Sequence, residues 1–346
     1  MERMPAWALG VVLVFVAQAA CAAETTAQVV SPAAAPATPA MPPRLVSVER
    51  IWDKAAYNSF TDLVRFKERW YCAFREGTKH VSPDGALRVI VSEDGKTWES
   101  VALMTSPTAD LRDPKLSVMP DGRLLMLGAA APHSAPRSRQ PMAWTSDDGR
   151  RWSDPADVGE KDVWLWRVTW HAGTGYGVGY DVAAKKFSRL YATRDGRKFE
   201  PVAPDTGLRD APTEAALVFT ADGTCYCLHR RDGKQPTGQL GTAAPPYTAW
   251  TWRDLGQRIG GPAMIQLPDG RFVAVVRLVA PKTRTALCWV DVKAGTLTEA
   301  LALPSGGDTS YAGLVWHDNR LWISYYSSHE KKTAVYLARV AFGPGD

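Results

Sequence analysis

Three apolar runs of this chain end in arginine: WYCAFR at Arg75, CYCLHR at Arg230 and FVAVVR at Arg277. A guanidinium at the end of a hydrophobic strand is costly to desolvate unless it meets an anion. Three of them converging would suit a carboxylate, which a guanidinium grips through two parallel hydrogen bonds. A local ion pair, Arg75 with Glu76 or Arg230 with Asp232, would satisfy the same arginines without a ligand. Two further residues carry complementary chemistry: Glu214 opens the apolar run Ala215 to Phe219, and Tyr311 lies in the segment GGDTSYAG. A phenol titrates unaided only near pH ~10, so as a nucleophile it needs a carboxylate to take its proton and cations to stabilise the phenolate.

Residues so far apart act together only if a repeating scaffold gathers them. One pattern recurs: an apolar run, a polar turn, and a second apolar run. The turns are Lys67-Glu68, Asp121-Gly122, Gly173-Thr174, Asp222-Gly223, Asp269-Gly270 and Asp318-Asn319. Asp-Gly between β-rich runs is a strong hairpin signal, because both residues tolerate positive φ. The turns recur at about 50 residues, the period of a propeller blade. The runs are short, alternate with period two, and are rich in Val, Trp, Tyr and Phe, which argues against a helical repeat. The spacing therefore predicts an all-β, six-bladed β-propeller. Pairing of Ala334 to Ala341 with Leu45 to Trp52 would close its ring.

In such a ring the residues that enter each inner strand and leave each second strand meet at one face. The exits, counted from the turns, are Arg75, Ala129, Asp181, Arg230, Arg277 and Tyr326. The entries supply Asn58, Asp62, Asp113, Arg167, Glu214 and Tyr311, with Arg167 on the parity that points into the channel. His80, His229 and His329 fall near the same face and read as lining residues, and the Trp164, Trp166, Trp170 stripe reads as packing.

A second motif follows the first three turns: SEDGKTW at Ser92 to Trp98, SDDGRRW at Ser146 to Trp152, and TRDGRKF at Thr193 to Phe199. An Asp that caps turn amides, a Gly at positive φ and an aromatic that packs back describe a tight hairpin. The motif resembles the Asp-box of sialidase-type propellers, and blades four and five carry degenerate versions at Thr251-Trp252 and Asp291 to Gly295. The segment PTEAALVFTADGTCYCLHRRDG resembles the sialidase stretch with a glutamate, an Asp-Gly turn and the second substrate-binding arginine. TSYAGLVWHDNRLWISYY resembles the stretch with the nucleophilic tyrosine, and FREGTKHVSPDGALRVIVSEDGKTWES resembles the first blade.

The resemblance implies an exo-acting glycosidase that removes a terminal anionic sugar. Tyr311 would be the nucleophile, Glu214 its base, and Arg75, Arg230 and Arg277 the sugar-binding arginines, with Arg284 an alternative third. The family's acid/base aspartate belongs near Ala86, which makes Asp84 the candidate and Asp62 and Asp113 its rivals. The chain departs from the pattern in blade one: Asn58-Ser59-Phe60-Thr61-Asp62 stands where sialidases carry Arg-Ile-Pro. A hydrolase or lyase acting on uronate-containing polysaccharide, and a non-catalytic glycan-binding propeller, remain alternatives on the same scaffold.

The chain has 346 residues, 45% hydrophobic and 22% charged, with a net charge of +5 that is scattered along it. Basic runs interleaved with aromatics are missing, which argues against a nucleic-acid partner. Residues 1–22 read as a signal peptide, with Cys21 offering an alternative lipidation site, and export to the periplasm or medium follows. Residues 23–43, rich in Ala and Pro, read as a linker, and the propeller occupies 44–346. No later run is long enough to span a membrane. Cys72, Cys225, Cys227 and Cys288 read as small buried hydrophobes, without zinc spacing; no metal or cofactor is expected, and the partner is a glycan bound by a monomer.

Overall fold

The computed structural model describes residues 42–343, so the expected signal peptide, the lipidation site at Cys21 and nearly all of the linker lie outside the described residues. The described residues form six four-stranded antiparallel sheets arranged in a ring as a β-propeller. The inner strands are Tyr57–Phe66, Ala109–Val118, Val163–His171, Pro212–Phe219, Ile259–Gln266 and Thr309–His317. Each packs against the inner strands on either side of it, so the blades share one central channel.

The hairpins between inner and second strands fall where the polar turns predict, with positive φ at Lys67, Glu68, Gly122, Gly223, Gly270, Asp318 and Asn319. In blade three the turn is Ala172-Gly173, one residue earlier than expected, and Thr174 already opens the second strand. Ring closure joins the two ends of the described chain: Arg44–Trp52 pairs with Ala334–Ala341 as the outer strand of blade six. Both strands lose a free edge that would otherwise invite association.

The three predicted Asp-Gly hairpins join third to outer strands. Asp94 accepts from the amides of Lys96 and Thr97, Asp148 from those of Arg150 and Arg151, and Asp195 from those of Arg197 and Lys198, all at 2.8–2.9 Å. Gly95 lies against Trp322 and Gly149 against Tyr71, so close that a Cβ would sit 2.5 Å and 2.3 Å from those rings. Each of these two turns thus staples its blade to the second strand of the preceding one, where only glycine fits. The core lies between blades in separate apolar layers, such as the Leu228, Ile259, Ala274 and Val276 layer of blades four and five. The four described cysteines are free and buried.

One irregularity repeats in every blade. Each inner strand carries a β-bulge in which two residues oppose one: Phe60-Thr61, Asp113-Pro114, Trp166-Arg167, Thr213-Glu214, Gly261-Pro262 and Tyr311-Ala312. Phe60, Asp113, Gly261 and Tyr311 adopt positive φ there. Bulges break the alternation of side chains and re-aim them. Six in register turn one residue per blade toward a common centre.

Candidate active site

At that centre the hydroxyl of Tyr311 donates to Oε1 of Glu214 at 2.6 Å. Nη1 of Arg230 donates to both carboxylate oxygens at 2.9 and 3.0 Å and to the Tyr311 oxygen at 3.0 Å. The amide of Gly261 completes the shell of Glu214, donating to Oε2 at 3.0 Å. Gly261 has φ +53°, and a Cβ there would stand 2.7 Å from the Tyr311 ring, so the phenol rests on bare backbone. Phe60 and Trp166 fix the ring edge-on, with centroids at 5.0 and 6.0 Å, and the guanidinium of Arg277 lies 5.2 Å from its centroid.

Burial alone would push Glu214 upward, but the Arg230 charge, the Tyr311 hydroxyl and the Gly261 amide outweigh it and hold its pKa below the ordinary value. Glu214 is therefore an anion at neutral pH. Tyr311 is moved the other way: burial first and the Glu214 charge second raise it well above the ordinary phenol, against Arg230 and Arg277. The resting pair is a neutral phenol donating to a carboxylate.

Asp113, from the bulge of blade two, is buried with its carboxyl pKa raised, chiefly by burial and further by the Glu214 charge, against Arg112 and Lys115. Arg112 Nε approaches at 3.7 Å, and no hydrogen bond reaches the Asp113 carboxyl among the described residues. Two carboxyls coupled to one phenol thus have their pKa values moved in opposite directions. Such divergence is what acid/base work needs.

The other predicted site residues go elsewhere. Arg75 is 0% exposed, with Nε 2.8 Å from Oδ1 of Asp110 and its remaining donors on the Lys79 carbonyl and on Ser82. It ties blade one to blade two and offers nothing to a ligand. Its partner is not Glu76, which instead pairs with Arg88 at 2.8 Å. Asp84 is exposed on the loop after that arginine, where it caps Thr78; hydrogen bonds from Ser82 and Thr78 hold its pKa at about 2, so it keeps no proton to give. Arg284 stands at the start of a third strand, where it pairs with Glu299 at 2.8 Å and donates to the Ala280 and Lys282 carbonyls. Asp62 and Arg167 meet each other at 3.2 Å and line the opposite half of the channel, a cavity of about 700 Å³. Asp62 also accepts from the Leu116 amide, and Arg167 donates to the Ala312 carbonyl.

A second network, unforeseen in sequence, borders the centre. Asp308 accepts from Tyr57, from His80 Nδ1 at 2.9 Å and from Tyr326 at 2.6 Å, with Arg277 Nη1 at 3.6 Å. Burial raises Asp308, but these donors prevail and hold its pKa at about 2. Tyr326 occupies the blade-six exit, and Asp308 lies three residues before Tyr311 in the glycine-rich segment; both positions were available signals. Beside Glu214 and Arg230 opens a cleft of about 580 Å³, walled by Arg139, Trp164, Tyr180, Lys185 and Asp232.

No protein-family model matches the chain, and no curated protein matches it. Solved structures do. A protein of unknown function from Dyadobacter fermentans superposes with TM-score 0.78 at 19% identity, covering 87% of this chain and 99% of that one. The α-L-arabinofuranosidase of Fusarium graminearum, in complex with arabinobiose, gives 0.68 at 13% identity over 85% and 97%. Trypanosoma rangeli sialidase gives 0.64 at 12% over 86% of this chain and 59% of that one, so the chain spans about three-fifths of the sialidase. The likeness is one of fold: a sialidase-like propeller.

Proposed function

We propose that this chain is a glycoside hydrolase that removes a terminal anionic sugar, with its reaction centre at Tyr311, Glu214 and Arg230. The observation that carries the reading is the 2.6 Å phenol–carboxylate contact, with one guanidinium nitrogen touching both partners. In the first step the Tyr311 oxygen bonds to the anomeric carbon and the bond to the leaving oxygen breaks. The phenol proton passes to Glu214, and Asp113 gives its proton to the leaving oxygen. In the second step a water oxygen bonds to the anomeric carbon, its proton returns to Asp113, and Tyr311 departs and recovers its own from Glu214. Two displacements give retention, and a neutral nucleophile does not repel an anionic sugar.

Asp113 takes the acid role over Asp84 and Asp62 because burial raises its carboxyl pKa and no hydrogen bond reaches it among the described residues, whereas Asp84 caps Thr78 and Asp62 accepts from the Leu63 and Leu116 amides and pairs with Arg167. Arg230 at the Tyr311 hydroxyl, together with Arg277 over the Tyr311 ring, supplies the cationic wall. The arabinofuranosidase and the sialidase that share the fold support glycoside cleavage as the reaction class.

A second reading is favoured by the withdrawal of Arg75 and by the lowered pKa of Glu214. There Glu214 itself attacks a neutral sugar, and Tyr311 orients it. The test is a panel of fluorogenic sialoside, glucuronide and arabinofuranoside substrates, followed by labelling with a 2-deoxy-2-fluoro glycosyl fluoride of the sugar that is turned over. A label on Tyr311 supports the first reading and one on Glu214 the second. Saturable glycan binding with no cleavage of any substrate sinks both.

A further inference from the structure

Four arginines near this face have carboxylate partners: Arg75 has Asp110, Arg230 has Glu214 and Asp232, Arg189 has Glu160 and Arg277 has Asp308, while the exposed Arg137 on the cleft lining has no ion pair among the described residues. Arg139 has none. Among the described residues no carboxylate lies within ion-pair distance of it. Its Nη1 donates to the carbonyls of Pro136 and Ser138 at 2.6 and 2.7 Å, its Nε is shut away from solvent, and its Nη2 bonds to nothing among the described residues. Asp162, at the entry to blade three, feels the Arg139 charge, but its carboxylate is engaged by the Ser138 hydroxyl and the Arg139 amide rather than by the guanidinium. The guanidinium lies over the Trp164 ring, 5.0 Å from its centroid.

Its place in the fold gives this a consequence. Arg139 forms one wall of the 580 Å³ cleft whose floor reaches Glu214 and Arg230, and Lys185 stands on that cleft's lining, 3.8 Å from Asp232. Burial, then the charge of Arg112, lowers the Arg139 pKa, while Tyr180, Asp113 and Asp110 oppose that shift. A half-buried cation beside a like charge, on the lining of a cleft, with an unengaged Nη2 and no carboxylate within ion-pair distance, is a site that lacks its anion.

We propose that this cleft over blade three is a subsite for a carboxylated sugar, whose carboxylate is bound by Arg139 where it lies over Trp164. The subsite deepens the glycosidase reading and relies on it only for the identity of the neighbouring reaction centre. It moves the acidic recognition from blade one, where Arg75 is closed off, to the boundary of blades two and three. Substrate discrimination then rests on a residue outside the Tyr311 centre.

The experiment is calorimetric titration of the full chain with glucuronic acid and with glucose at low salt. Wild type should bind the acid about tenfold more tightly or better, the scale of one charge-assisted bond. Arg139→Gln should abolish that preference, and Arg139→Lys should keep part of it as a point charge without the planar fork. Equal binding of the two sugars by wild type overturns the proposal, as does an undiminished preference in Arg139→Gln. Circular dichroism melts of both variants confirm that they are folded, and if Arg139→Gln does not fold, Arg139→Lys decides alone. Acid-selective binding that depends on Arg139, in a protein that cleaves no glycoside, leaves the subsite standing and removes only the hydrolase reading. Cleavage of glycosides with no Arg139-dependent preference does the reverse.

Discussion

Tyr311 and Glu214 are 97 residues apart in sequence, and the phenol oxygen of one lies 2.6 Å from the carboxylate of the other. Both side chains project from β-bulges at equivalent heights of inner strands in blades six and four. The intervening blade contributes no side chain at this height, because its bulge carries Gly261, whose amide donates to Glu214 and whose bare Cα leaves room for the Tyr311 ring. Three blades therefore share one constellation, and replacing any of the three residues disturbs the other two.

Tyr311→Phe and Glu214→Gln should each reduce kcat/KM on a cleaved glycoside by about 10²–10⁴-fold, the usual worth of a positioned proton-transfer group. Tyr311→Phe should cost only about 1 kcal/mol of stability, since Glu214 keeps Arg230 and the Gly261 amide. Steady-state kinetics beside urea denaturation checks both parts. Wild-type turnover in either variant would remove the pair from the mechanism.

The pH–rate profile should be a bell. Activity needs Glu214 ionised, and its lowered pKa places the acid limb below the ordinary glutamate range. It also needs Asp113 protonated, and the raised pKa of that carboxyl sets the alkaline limb. Asp113→Asn should flatten the alkaline limb and slow turnover of substrates with poor leaving groups more than those with good ones. An alkaline limb unchanged in Asp113→Asn assigns the acid to another group.

Arg75→Ala should act on stability rather than on substrate binding. It removes one partner of a fully buried pair with Asp110, a class of change that costs about 3–5 kcal/mol. Chemical denaturation reads the loss, and KM of the folded fraction should stay at its wild-type value. A large rise in KM without destabilisation would return Arg75 to the substrate.

Asp308 should contribute acid sensitivity. Its folded pKa is lowered from 3.8 to about 2, so its contribution is complete above pH 3.8 and is lost as pH falls through about 2. The difference corresponds to stabilisation on the order of 2 kcal/mol. Urea denaturation at stepped pH should show wild type losing this increment across that window, and Asp308→Asn should be less stable at pH 7 with a shallower acid dependence. Parallel curves for the two proteins contradict the network around Tyr57, His80 and Tyr326.

Much of this molecule was legible in its sequence because the relevant signals are local. Period-two runs and polar turns repeating at a fixed interval specify six antiparallel hairpins, and an Asp-Gly hairpin needs only its own residues to form. That Glu214, Arg230 and Tyr311 meet at one end of the ring was legible too, since strand position relative to a turn fixes which end a residue occupies. What the sequence left open is which neighbour each charge meets across a blade boundary. Arg75 occupies a position equivalent to that of Arg277, yet Asp110 of the next blade captures it and Asp84 is spent on a turn. The repeated bulge is likewise invisible in hydrophobic pattern, because it breaks the alternation on which such patterns rest. Only closure of the ring brought Asp308 under Tyr57 and left Arg139 without an acid, since ion pairing depends on distances of a few ångströms between blades that strand periodicity does not encode.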